Sequence, residues 1–205
     1  KTYQVLEENE PDAGRIIEAF SDFTKAEQEE ILYKQKILSS LAYFIGKDFY
    51  IPIEIGFPTP DCPSGWRQGK KVDGTKFLQM NAHDLLEKPM DFLRFVTCHE
   101  GGHARISRPE DIPVEDWKKI GFPFMMNAIE DGRDNNFVAE SYPKFAEQMT
   151  LAYNEFADLE AKAKESAKDK LGQQPRFMKA GFEYLKQWFR ETQGQDFELS
   201  EDLPE

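Results

Sequence analysis

The chain has 205 residues, of which 40% are hydrophobic and 31% charged, a composition that excludes a disordered chain and is typical of a globular protein. No apolar run approaches the roughly 18 residues that a membrane-spanning helix needs, so we expect no membrane partner. The net charge of −12 belongs to the ends, since residues 1–30 and residues 191–205 each contribute −6. We expect no nucleic-acid partner, because a phosphate-binding face would be basic.

The terminal acidity predicts solvated segments at about residues 1–12 and 191–205, which act as tails or as a linker to further regions of the polypeptide. The two cysteines, Cys62 and Cys98, are too few for a disulfide framework. Reduced thiols favour a cytoplasmic location. Cys62 lies in a Pro- and Gly-rich segment, where it is either a simple loop cysteine or an inhibitory thiolate that covers a metal.

In chain order, helical spacing of apolar residues predicts two helices over residues 13–49, with a break near residues 21–24, where Ser, Asp and Thr can cap a new helix. Alternating isoleucines predict a short strand over residues 50–55, which Pro52 places at a sheet edge. Residues 56–74 are rich in Pro and Gly and predict a long loop. A second strand is predicted over residues 75–82.

A helix is predicted from Pro89 to about Ile106, since Pro109 prevents its continuation. A loop follows, and further helices are predicted over residues 124–140, 143–168 and 175–192. The whole chain, residues 1–205, is therefore predicted to form a single α+β domain. It is mainly helical, with a small sheet beside the helix at residues 89–106.

This helix carries the pattern His99-Glu100-x-x-His103. Two imidazoles one helical turn apart can bind one metal ion, and the glutamate beside them can hold a water molecule that the ion activates. Gly101 and Gly102 cost about 2 kcal/mol in a helix interior, which favours close approach by a ligand or a neighbouring segment. The alternative is a buried helix with two core histidines.

A catalytic zinc usually has three protein ligands and an open position. Glu130 and Asp134 share a face of the predicted helix at 124–140, 27 residues after His103. Glu130 is therefore the predicted third ligand, and Asp134 can accept a hydrogen bond from a ligand histidine. The alternative is a solvated acidic helix face.

His99-Glu100-x-x-His103 followed by Glu130-x-x-x-Asp134 resembles the gluzincin class of zinc metallopeptidases, the thermolysin-like group. The short gap between the two motifs is similar to compact minigluzincin domains, and the segment "NAIEDGR" resembles metallopeptidase-like segments that precede von Willebrand factor A domains. The resemblance covers about residues 77–138. It implies a zincin-like fold, one Zn²⁺ per chain bound by His99, His103 and Glu130, Glu100 as general base, and Asp134 outside the ligand shell.

Members of this group hold an extended peptide along an edge strand, often through an Asn-Ala pair, which Asn81 and Ala82 resemble. The alternative for this pair is an ordinary strand end. The group also uses a His or Tyr to stabilise the oxyanion, for which Tyr142, His83 and Tyr153 are the candidates.

The sequence therefore predicts a zinc-dependent peptidase that hydrolyses peptide or protein substrates. An inactive zincin-like binding or sensing module, in which zinc is structural or latent, is the main alternative. A helical scaffold without metal is the third hypothesis.

Overall fold

The computed structural model describes residues 20–46, 53–59, 64–70, 75–145, 147–149, 160–161, 163–165, 168 and 172–200. The chain divides into two compact units, Lys1–Arg105 and Ile106–Glu205. The described residues are mainly helical with one small mixed sheet, which confirms the α+β class. Within these residues no helix combines the length and apolarity needed to cross a bilayer.

In the described part of the first unit, the long helix α1 spans Lys25–Gly46, and its start lies at the predicted break. The hydroxyl of Thr24 donates to Glu27 Oε2 at 2.7 Å, and the Thr24 backbone N–H donates to the same oxygen at 2.7 Å. This capping box satisfies backbone groups that a helix start leaves unpaired. The hydrogen bonds to Thr24 hold the pKa of Glu27 below its ordinary value. Most of the helix predicted before this break lies outside the described residues.

Three strands follow: β1 Ile53–Gly56, β2 Arg67–Lys70 and β3 Lys76–Asn81. Their order is β1-β3-β2, with β1 parallel to β3 and β2 antiparallel to it. The predicted edge position of the first strand and the predicted strand at 75–82 agree with this arrangement. The loop prediction for residues 56–74 is wrong at β2, because its pairing with β3, not its own polar sequence, makes it a strand.

The short helix α2, Ala82–Glu87, begins directly after β3, and α3, Met90–Ile106, follows it. The bounds of α3 agree with the prediction to within one residue. The core of the first unit combines side chains of all these helices with those of β1 and β3: Ile31, Leu38, Ala42, Ile53, Leu78, Met80, Ala82, Leu85, Leu93 and Ala104. Two of these core residues, Leu93 and Ala104, lie on α3, so the core fixes the helix that carries His99 and His103.

In the second unit a 3-10 turn, Pro109–Asp111, and a short helix α4, Val114–Trp117, precede the long helix α5, Phe122–Ser141. Gly121 caps α5 with a φ of +81°, a left-handed conformation that favours glycine. The last helix, α6, spans Arg176–Gln193. Both long helices match their predictions, and the described parts of residues 143–168 are helical.

Helices α5 and α6 pack together in the core of the second unit. A Cβ at Gly181 of α6 would lie 2.5 Å from Phe124 Cε1, and a Cβ at Gly132 of α5 would lie 3.0 Å from the Tyr184 hydroxyl. The indole N–H of Trp188 donates to Asn136 Oδ1 at 3.2 Å. The strip of α5 that includes residues 128, 132 and 136 therefore faces α6.

The described residues after α6 return to contact that helix, and the acidic tail or linker at 191–205 stays a prediction. Gly194 ends the helix at a φ of +63°, and the chain turns back. Phe197 is buried against Phe189, with ring centroids 5.8 Å apart, and the Ser200 N–H donates to Glu183 Oε2 at 2.6 Å. The acidic side chains Glu191, Asp196 and Glu198 stay exposed, while Phe197 and the Ser200 N–H make the contacts with α6. Residues 1–12 and 201–205 lie outside the described residues.

Candidate metal centre

The two motif histidines occupy one face of α3, one helical turn apart. The ring centroids of His99 and His103 are 4.6 Å apart, with planes at 86°, and the Phe95 ring stacks on His99 at 6.2 Å. His103 is buried, whereas His99 is half-buried. Residues 95, 99 and 103 are spaced four apart, and these ring contacts place them along one stripe of the helix.

The packing of α1 against α3 explains why residue 101, between the two histidines, is a glycine. A Cβ at Gly101 would lie 3.2 Å from Ile45 Cγ2, which is tighter than ordinary packing. Arg105 Nη1 donates to the Ile45 carbonyl oxygen at 3.3 Å in the same region. Gly101 therefore permits the close approach of α1 to α3. The neighbouring segment expected from the sequence at this glycine is α1.

Glu100 follows His99 on α3 and is half-buried. Consecutive residues of a helix are rotated by about 100° around its axis. Glu100 therefore does not lie on the stripe of α3 that carries His99 and His103. This position is unsuited to a ligand for the same ion as His99 and His103. It suits a base that acts on a molecule held beside the imidazoles.

In the second unit Glu130 is engaged by an arginine of its own helix. Arg133 Nε donates to Glu130 Oε2 at 2.8 Å, and Arg133 Nη2 donates to Glu130 Oε1 at 3.1 Å. The same Nη2 donates to the carbonyl oxygen of Ile106 at 3.1 Å, and the Ser107 hydroxyl lies 3.4 Å from Glu130 Oε2. Glu130 is thus the centre of a polar cluster that fixes the residues at the start of this unit.

Asp134 is completely buried, which excludes the solvated acidic face as an account of this residue. Burial of a carboxylate is costly unless other groups compensate its charge. Its neighbour Asp131 is half-buried, and Asp131 Oδ2 accepts a long hydrogen bond of 3.4 Å from Asn127.

Asn81 ends β3, the middle strand among the described ones, and Ala82 begins α2; both residues are buried. Asn81 Oδ1 accepts from the His83 backbone N–H at 3.0 Å and thereby caps α2, while Asn81 Nδ2 donates to the Ser64 carbonyl oxygen at 3.0 Å. The fold therefore uses the Asn81 side chain for a helix cap and a loop contact. These contacts favour the strand-end interpretation, and a peptide-binding role stays a prediction.

The described candidates for oxyanion stabilisation, His83 and Tyr142, lie in different surroundings. His83 is exposed and its ring packs on Phe23 at 5.1 Å and on Phe57 at 5.8 Å. Tyr142 caps the end of α5, where its N–H donates to the Val138 carbonyl oxygen at 2.8 Å. The helix thus breaks before Pro143, as an inward-pointing Tyr142 would require. Tyr153 and Cys62 lie outside the described residues.

Comparison of the chain with protein-family models, with curated proteins and with solved structures found no match.

Proposed function

We propose that this chain is a zinc-dependent peptidase that hydrolyses peptide bonds with Glu100 as general base. The observation that carries the proposal is the pair His99 and His103 on one face of α3, whose ring centroids are 4.6 Å apart. Glu100 directly follows the first histidine, as the His-Glu-x-x-His pattern requires. The resemblance to gluzincins supports the same assignment. We expect one zinc ion per chain.

The donor set fits zinc in its chemistry. Zinc is bound by imidazole nitrogens and carboxylate oxygens, and a catalytic site keeps one position open. His99 and His103 supply two nitrogens, and α5 supplies the carboxylate, for which the resemblance implies Glu130. Calcium and magnesium would prefer an all-oxygen set, which a histidine pair does not offer.

Zinc bound by these residues would supply Lewis acidity, which would lower the pKa of a water molecule and polarise the scissile carbonyl. Glu100 accepts the proton of the attacking water and then donates it to the leaving nitrogen. The C–N bond breaks, and a carboxylic acid and an amine leave without a covalent enzyme intermediate. We assign Asp134 the role of a hydrogen-bond acceptor for a ligand histidine, which would fix the tautomer of that imidazole.

Metal analysis tests the proposal most simply. Wild-type protein purified without added zinc should contain about one zinc per chain, and the double variant His99→Ala, His103→Ala should contain none. Equal zinc content in both proteins would refute a site at the histidine pair. Stoichiometric zinc in the wild type without turnover of a peptide library would favour the alternative of a structural or latent zinc.

A further inference from the structure

Phe95 lies one helical turn before His99 on α3, and the rings of the two residues are stacked. Their planes are inclined by 17° and their centroids are 6.2 Å apart. This geometry is an offset stack, which aromatic pairs prefer to direct face-to-face contact. Because side chains on an α-helix point back toward its N-terminus, His99 lies over the turn that carries Phe95. The geometry of α3 itself therefore brings the two rings together.

The two motif histidines differ in how far their surroundings enclose them. His103 is buried, so close-packed neighbours restrict the orientation of its ring. His99 is half-buried and keeps part of its surface accessible. The torsion that turns an imidazole about its bond to Cβ is broad, so a half-buried histidine can present its nitrogens in several directions. His99 is therefore the histidine of the pair whose orientation needs an additional restraint.

Phe95 and His103 flank His99 along the same stripe of α3. The rings of His99 and His103 meet edge to face, with planes at 86° and centroids 4.6 Å apart. The contact with Phe95 is of a different kind, because its nearly parallel ring favours one plane for the imidazole of His99. The phenyl ring also has no polar atom that could bind an imidazole nitrogen. Phe95 can thus restrict the orientation of His99 without competing with a metal ion for its nitrogens.

We infer that Phe95 is a positioning residue for the zinc ligand His99, whose ring it holds in the orientation that binds the metal. The inference rests on the proposed function. Ordering a side chain when a ligand binds costs free energy, and a contact that orders it beforehand removes part of that cost. If the stack favours the binding orientation as strongly as aromatic pairs usually interact, its loss weakens zinc binding by about 2–10-fold.

Zinc affinity measured by chelator competition tests this role with three variants. Phe95→Leu removes the ring but keeps an apolar side chain, and it should weaken zinc binding by about 2–10-fold. Phe95→Tyr keeps the ring and should bind zinc as the wild type does. The matched control is Phe92→Leu, because Phe92 packs on the core of the first unit and its ring centroid lies 5.3 Å from Lys88 Nζ. Wild-type affinity in Phe95→Leu, or an equal loss in Phe95→Tyr or Phe92→Leu, would overturn the inference.

Proton NMR of the protein without zinc gives a readout that depends on neither metal nor activity. The chain has three histidines, so each imidazole can be assigned by its own substitution. In Phe95→Leu the ring protons of His99 should shift, because a stacked ring alters the local magnetic field, while those of His83 should not. Unchanged His99 resonances would overturn the inference and leave the zinc site at the histidine pair intact. Wild-type zinc affinity in the double variant His99→Ala, His103→Ala would overturn both.

Discussion

The ring planes of His99 and His103 stand at 86° to each other on one face of α3, with centroids 4.6 Å apart. Helical spacing brings the two rings together, while the core residues Leu93 and Ala104 fix the helix that carries them. The core of the first unit therefore fixes the helix face that carries the histidine pair. The predictions about zinc depend on this pair.

Single alanine substitutions of the motif histidines should each remove a ligand. We expect His99→Ala and His103→Ala to lower zinc affinity by more than the about 10–100-fold that follows loss of a partner outside the ligand shell. The control is His83→Ala, because the exposed His83 packs on Phe23 and Phe57 and should leave zinc binding unchanged. Chelator competition on the three variants checks this, and equal losses in all three would contradict it.

Asp134→Ala tests the proposed support of a ligand histidine. If Asp134 fixes the tautomer of that imidazole, zinc affinity should fall by about 10–100-fold while one zinc per chain still binds at saturation. Because Asp134 is completely buried, unfolding must be followed in parallel by circular dichroism. A variant that folds and binds zinc with wild-type affinity would refute this role.

The second unit contains a buried charge cluster remote in sequence from the motif. Lys186 Nζ lies 3.1 Å from Glu160 Oε1 and 3.1 Å from Glu183 Oε1. Lys186→Met would leave both buried carboxylates without this ammonium, so we expect a loss of about 3–5 kcal/mol in the free energy of unfolding. Lys164, which pairs with Glu160 but is 46% exposed, is the control. Lys164→Met should cost no more than about 1 kcal/mol, as measured by denaturant unfolding.

The same cluster predicts a dependence on alkaline pH. Burial lowers the pKa of Lys186, but its hydrogen bonds to Glu160 and Glu183 and their charges outweigh burial, so the pKa lies above the ordinary 10.5. The stabilisation is therefore fully present below pH 10.5 and is lost as the pH rises through the folded-state pKa. Wild-type protein should lose stability in that range, and Lys186→Met should lose less. Parallel stability curves for the two proteins would contradict this.

Periodicity in the sequence was sufficient to predict α3, α5 and α6, because long amphipathic segments with clear breakers specify their own ends. It failed for β2, whose polar sequence Arg67–Lys70 becomes a strand through pairing with β3. It does not predict the contacts of Phe197 and Ser200 with α6, because these depend on tertiary packing.

At the candidate site, helical spacing predicted that His99 and His103 share a face. The same reasoning placed Glu130 and Asp134 together but did not include the pairing of Glu130 with Arg133. A pattern of acidic residues shows which positions can be ligands. It does not show which carboxylate a neighbouring cation already binds, and that depends on side-chain conformation.

The central claim is that Glu100 acts as the base in a zinc-dependent hydrolysis, and Glu100→Gln tests it most directly. The amide cannot accept the proton of the attacking water, but it preserves the size of the side chain. Turnover of a peptide library by wild-type and variant protein, each with its zinc content measured, is the required experiment. We predict hydrolysis by the wild type and none by Glu100→Gln, with about one zinc per chain in both. Undiminished hydrolysis by the zinc-loaded variant, or loss of its zinc, would contradict the account.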